Sequence, residues 1–124
     1  MDSGMFKPLQ DAAVEALMLD ENWTSDLNII YADRKRVVHQ IYDAIGCSYE
    51  HNQSGLFVWA KIPAHFSSAE LLSEWILHET EVFITPGFIF GNQGRNYLRI
   101  SLCCNKKQLL EALKRIENLM KSRV

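Results

Sequence analysis

A chain of 124 residues, 48% hydrophobic and 23% charged, has the size and balance of one soluble globular domain spanning residues 1–124. A net charge of -2 offers no basic field for nucleic acid or an anionic membrane surface, so neither is expected as a partner. The apolar runs are only a few residues long, too short to span a membrane. The opening Met1-Asp2-Ser3-Gly4 has neither the basic region nor the apolar stretch of a signal peptide, and a cytoplasmic location is expected.

In chain order, Pro8 suits the first position of a helix, and Leu9, Ala12, Ala13, Ala16 and Leu17 follow helical spacing up to the polar break Asp20-Glu21-Asn22. Thr24 or Ser25 is expected to cap a second helix. Its apolar face runs through Leu27, Ile30, Tyr31, the stem of Arg34, Val37, Val38, Ile41, Tyr42 and Ile45, and Gly46 stops it. After a polar loop, Leu56 to Ile62 is β-prone and ends at Pro63. Ser67 with Glu70 forms a capping-box signature for a third helix, whose face is Leu71, Leu72, Trp75 and Ile76. Val82 to Thr85 reads as a short strand stopped by Pro86-Gly87. Tyr97 to Cys103 reads as the last strand, with Leu98, Ile100 and Leu102 on one face and Tyr97, Arg99 and Ser101 on the other. Asn105 and Gln108 repeat the capping pattern before a final helix striped by Leu109, Leu110, Leu113, Ile116, Leu119 and Met120. Few strands and several amphipathic helices imply an α+β fold, a small, mainly antiparallel sheet covered by helices. The last helix is expected to close the domain, and the start reads as though an upstream part were removed.

Among the residues able to carry chemistry, Arg99 leads. It is a permanent cation inside a short apolar strand, and it must find an anion, acceptors or water. Its planar fork on a rigid strand suits bidentate capture of a carboxylate. From the strand pattern alone, an exposed or structurally paired arginine is the favoured reading. Phe88 and Phe90 read either as core aromatics beside a turn or as walls of a site. Gly87, Gly91 and Gly94 match no phosphate-loop spacing and read as turn residues. Cys47, Cys103 and Cys104 match no zinc spacing and read as reduced thiols. His39, His51, His65 and His78 include no pair at metal-ligand spacing, so no metal site is expected, and no catalytic residue is assigned. Arg34-Lys35-Arg36 reads as a solvated face.

The stretch Thr85-Pro86-Gly87-Phe88-Ile89-Phe90-Gly91, with Gly94 and then Tyr97-Leu98-Arg99-Ile100-Ser101-Leu102, resembles the C-terminal, small domain of the fold-type I, class I/II pyridoxal-phosphate-dependent aminotransferases. Gly55-Leu56-Phe57-Val58-Trp59-Ala60-Lys61-Ile62-Pro63, the end helix Glu111-Ala112-Leu113-x-x-Ile116 and the opening Asp2-Ser3-Gly4-Met5-Phe6 extend the likeness over nearly the whole chain. The resemblance implies that Arg99 grips the substrate's α-carboxylate and that Phe88 and Phe90 line the pocket. Phe90 matches a common phenylalanine of that loop, whereas Phe88-Ile89 departs from the usual small or polar residues.

The resemblance further implies a parent enzyme that moves an amino group between an amino acid and a 2-oxo acid on pyridoxal phosphate. None of the seven lysines has the family's cofactor-lysine neighbourhood, and only Lys61 merits a direct check. The chain is therefore expected to lack the cofactor-lysine domain, to bind no cofactor alone and to be inactive alone. A homodimer is implied for the parent, with Met1 to Phe6 near its interface, and self-association for the fragment. Two other readings stay open: a β-lyase domain on the same scaffold, and a free-standing, non-catalytic module that binds a carboxylate or a protein.

Overall fold

A computed structural model of the chain describes residues 4–122. Two compact units, 1–30 and 31–124, divide it. The first contains α1 (Lys7–Leu17) and the opening of α2 (Glu21–Ile45). Pro8 lies in the first turn of α1, as expected, and Lys7 and Asp11 pair one turn apart at 2.8 Å. No residue of α1 is buried, and Leu9, Val14 and Leu17 stand exposed. Of the opening stretch expected near a subunit interface, residues 1–3 lie outside the described residues, while Met5 and Phe6 are exposed.

The expected start of α2 needs correction. It begins at Glu21, so Thr24 and Ser25 lie inside the helix rather than capping it. The side chain of Asp20 does the work at this end: its Oδ1 accepts from the Asn22 N–H at 3.1 Å. The hydrogen bonds from Asn22 also hold the Asp20 carboxyl below its ordinary range. A run that looks like a helix break is thus the helix's own start, because an aspartate satisfies orphan N–H groups as well as a threonine does.

The second unit holds the rest of α2, β1 (Phe57–Lys61), α3 (Ala69–Thr80), β2 (Thr85–Pro86), two 3₁₀ turns (Gly87–Phe90 and Asn92–Gly94), β3 (Tyr97–Ser101) and α4 (Lys106–Lys121). The strands form an antiparallel sheet in the order β1-β3-β2. In register, Trp59 faces Arg99, Val58 faces Ile100, and Thr85 faces Arg99 from the other side. Val58, Ala60 and Leu98 are buried with Val38, Ile41 and Tyr42 of α2, Leu72 and Ile76 of α3, and Ile116 of α4. The Tyr42 hydroxyl, fully buried, donates to the carbonyls of Val58 (2.8 Å) and Leu98 (3.3 Å), tying α2 to both strands. The α+β architecture read from the sequence is the one observed.

Several boundaries shift for local reasons. β2 is only Thr85–Pro86 and includes the proline expected to stop it. Its upstream part leaves the ladder because Ile84 turns into the core and gives its carbonyl to the Ser73 hydroxyl. β3 stops at Ser101, whose Oγ accepts from the Cys103 N–H at 3.2 Å and bends the chain away. α3 is capped by Ser68 rather than Ser67, with Oγ accepting from the Leu71 N–H at 3.2 Å. Asn105 caps α4 as expected, accepting from the Gln108 N–H at 2.9 Å, while the Gln108 side chain takes the Cys104 thiol instead of closing the box.

Candidate functional site: a caged arginine on the sheet's open face

Antiparallel pairing puts directly opposite residues on one face of a sheet. The core takes Val58, Ala60, Leu98 and Ile100, so the other face carries Phe57, Trp59 and Lys61 from β1 and Tyr97, Arg99 and Ser101 from β3. Thr85 of β2 joins that row at the level of Arg99. The two faces of β3 therefore divide as the sequence alternation predicts.

Arg99 is half-buried in an aromatic cage. Its guanidinium carbon lies 3.9 Å from the Phe90 ring centre, 4.1 Å from that of Phe57 and 5.9 Å from that of Trp59. Trp59 in turn meets Phe90 edge-on, with ring centres 5.6 Å apart. Planar cations stack well on aromatic faces, and rings on two sides fix the fork's plane. Among the described residues, the Arg99 guanidinium has no hydrogen bond and no ion pair; Asp11, Asp33, Glu81, Glu111 and Glu117 pair instead with Lys7, Arg36, Lys106, Arg115 and Lys121. A caged cation with its five donors unused is ready for an external anion.

Strand register brings Phe57 and Trp59 to Arg99, and the Phe90 ring reaches it because of two glycines. Gly87 and Gly94 pack backbone to backbone, so closely that a Cβ on Gly94 would overlap the Gly87 carbonyl. That approach folds 87–94 into two tight turns and carries Phe90 back over β3. Phe90 lies against the Arg99 guanidinium although its ring is itself about half exposed. Phe88 is exposed and makes none of the ring contacts to Arg99. Phe57 and Trp59 were not singled out from the sequence. Their alternation with Val58 and Ala60 in a β-prone run is the signal that could have found them.

Arg99 also borders a cavity of about 230 Å³. Thr85, Ser101 and Gln108 supply polar atoms to its wall, while Ile41, Leu109 and Ile116 make its floor apolar. A second hollow of about 530 Å³ is lined by Trp59, Phe90, Tyr97 and the 87–94 turns.

The remaining candidates do not join this site. Cys47 is buried, and burial pushes its thiol up to about 12; Cys103 and Cys104 are exposed. Among the described residues no three histidine, cysteine or acidic side chains come together to hold a metal. No described helix is long and apolar enough to cross a membrane. The basic cluster is less solvated than expected. Arg34 donates to the Leu102 carbonyl at 2.9 Å and Lys35 to that of Gln53, which leaves Arg36 exposed. Both cations reach backbone acceptors that lie far along the chain, so the charge pattern of α2 alone could not reveal them.

A Schiff-base lysine needs a desolvated amine beside the substrate. Lys7, Lys106 and Lys121 are in exposed ion pairs, Lys35 is committed to a carbonyl, and Lys61, Lys107 and Lys114 are exposed.

Comparison with known proteins shows the family of the chain. The family model "Aminotransferase class I and II" matches residues 3–116. LL-diaminopimelate aminotransferase of Maridesulfovibrio salexigens is 38% identical over 119 residues, covering 96% of this chain and 30% of that protein. The enzyme of the same name from Aquifex aeolicus is 35% identical over 119 residues, with the same coverage. Apo-BacF from Bacillus subtilis superposes with a TM-score of 0.75 at 35% identity, over 94% of this chain and 30% of that one. An aromatic aminotransferase from Pyrococcus horikoshii gives 0.76 at 27% identity, over 90% of this chain and 30% of that one. The chain thus spans about 30% of the length of the curated relatives it matches. A sheet of this order, an arginine in its last strand and a match over most of the chain lead to one conclusion: the chain belongs to the aminotransferase class I and II family and corresponds to the small domain of its fold-type I members.

Proposed function

We propose that this chain is the carboxylate-holding domain of a pyridoxal-phosphate-dependent aminotransferase that moves an amino group between an amino acid and a 2-oxo acid. The observation that carries this reading is Arg99, stacked between Phe57 and Phe90 with no ion pair among the described residues. In the whole enzyme the cofactor would act as the electron sink, and a lysine outside this chain would hold it. The work of Arg99 is orientation. Two parallel N–H···O bonds fix the α-carboxylate, and with it the direction of the Cα–H bond to be broken. The Phe57 and Phe90 rings keep the fork from turning away. The same reading makes the isolated chain inactive and the parent a homodimer.

The test is Arg99→Lys and Arg99→Ala in the full-length enzyme, assayed for transamination. Lysine keeps the charge but loses the fork, so kcat/KM should fall by roughly ten- to a hundredfold, corresponding to about 1.5–3 kcal/mol for a charge-assisted pair. Alanine should lose more. Unchanged efficiency in Arg99→Ala would refute the role.

A further inference from the structure

Segment 47–54, between α2 and β1, is held at both ends by unusual contacts. At the helix end, His39 stacks on Tyr49, with ring centres 4.4 Å apart and planes 22° from parallel. His51 stands edge-on to both rings, at 5.4 Å from His39 and 5.0 Å from Tyr49. The Tyr49 hydroxyl donates to Asp43 Oδ1 at 2.8 Å, and Lys35 donates to the Gln53 carbonyl. Lys35, His39 and Asp43 recur every four residues, so a single face of α2 carries all three holds. His39 Nε2 is buried, and no described residue hydrogen-bonds to it. At the sheet end, Gln53 imitates a neighbouring strand. Its Oε1 accepts from the Trp59 N–H, and its Nε2 donates to the Trp59 carbonyl, both at 2.8 Å. Trp59 is the residue paired with Arg99 in register, and its ring abuts Phe90.

We propose that segment 47–54 is a proton-sensitive clamp on the Arg99 face, latched by neutral His39 and coupled to Trp59 through Gln53. A proton on His39 would give an imidazolium whose buried Nε2–H has no acceptor, and such a group is costly. The charged groups facing it are Lys35 and Asp43 on α2 and His51 on the segment, with the Tyr49 phenol stacked against it. Lys35 and His51 oppose a positive charge. Asp43 favours one, but Asp43 Oδ1 already accepts the Tyr49 hydroxyl. Burial first, then His51 and Lys35, hold the His39 pKa below the ordinary histidine value, with Asp43 acting the other way.

The sign follows. A lowered pKa in the folded chain means that the unfolded chain takes the proton first. The stability contributed by neutral His39 is present above about pH 6.5, the ordinary histidine value, and is lost as pH falls through the lower folded value. Loss of the stack loosens residues 49–53 while Ser48 stays bridged to Lys61, Gln53 leaves the edge of β1, and Trp59 loses its two bonds to Gln53. The functional meaning of the clamp rests on Arg99 as the carboxylate holder, but its test reads Trp59 and Arg99 directly, so the two readings stand or fall separately.

The experiment is a pH titration of the ¹⁵N-labelled 124-residue chain by NMR. The His39 ring should titrate below pH 6.5. The Trp59 indole N–H and the Arg99 Nε–H should shift with the same midpoint. His39→Phe keeps the stack without the titrating group and should abolish that shift at both reporters. Gln53→Ala should leave His39 titrating while Trp59 and Arg99 no longer follow it. The proposal is overturned if the two reporters ignore the His39 midpoint in the parent chain, or follow an unchanged midpoint in His39→Phe. If His39→Phe does not fold, the parent titration together with Gln53→Ala decides in the same way.

Discussion

Gly94→Ala is the sharpest probe of how this fold builds its site. A Cβ at position 94 would overlap the carbonyl carbon and oxygen of Gly87 and lie 3.0 Å from its Cα. A Cβ at 87 would meet the carbonyl oxygens of Gly94 and Tyr97 at 2.5 and 2.9 Å, and Trp59 Cζ3 at 2.9 Å. The atoms opposing position 94 are backbone, so no side chain can rotate to make room, and two turns must separate by about 1 Å. Overpacking of one methyl costs typically ~1–3 kcal/mol, and backbone on both sides places this case near ~3 kcal/mol. With a urea slope of about 2 kcal/mol per molar, the unfolding midpoint should fall by about 1.5 M. The same separation should draw Phe90 off Arg99, so the ring-current shift of the Arg99 Nε–H should collapse. Gln93→Ala, next door and exposed, should stay within about 0.5 kcal/mol of the parent. A Gly94→Ala midpoint within ~0.3 M of the parent, with the Arg99 signal unmoved, would refute the close-approach argument.

Two further outcomes follow from the packing. Tyr42→Phe removes a buried donor to Val58 and Leu98 and should cost about 1 kcal/mol in urea unfolding; a neutral result would mean that the strand carbonyls need no phenol. Ser68→Ala should cost ~1 kcal/mol by loss of the α3 cap, whereas Ser67→Ala should cost less than ~0.5 kcal/mol. The reverse order in thermal unfolding would place the cap at Ser67.

Some of the site is legible in the sequence. A cation flanked by apolar neighbours in a β-prone run has to lie on the face away from the core, and Arg99 does. Of the stripe Leu109, Leu110, Leu113, Ile116, Leu119 and Met120, the residues Leu109, Leu113, Ile116 and Met120 belong to the core or pack against it, whereas Leu110 falls off the inner face of α4 and is exposed. The ends of elements are less legible. Ser67 and Ser68 are equally good caps by composition, and the choice falls to Ser68, whose extended backbone aims its hydroxyl at Leu71. Thr24 and Ser25 lose their expected role because Asp20 reaches the helix end first.

What the sequence by itself determined is whatever repeats within one element: the helix stripes, the two faces of β3, the α+β class and the family likeness carried by ordered motifs. These are set by side-chain periods of 3.6 and 2, which need no knowledge of the rest of the chain. Only the tertiary structure decided that Phe57 and Phe90, 33 positions apart, sandwich Arg99, that Phe88 does not, and that Gln53 completes the edge of β1. Those contacts depend on strand register and on how closely two glycines let the backbone approach. Both are settled by the packing of the whole sheet against its helices, where a one-residue slip would turn every neighbour to the other face.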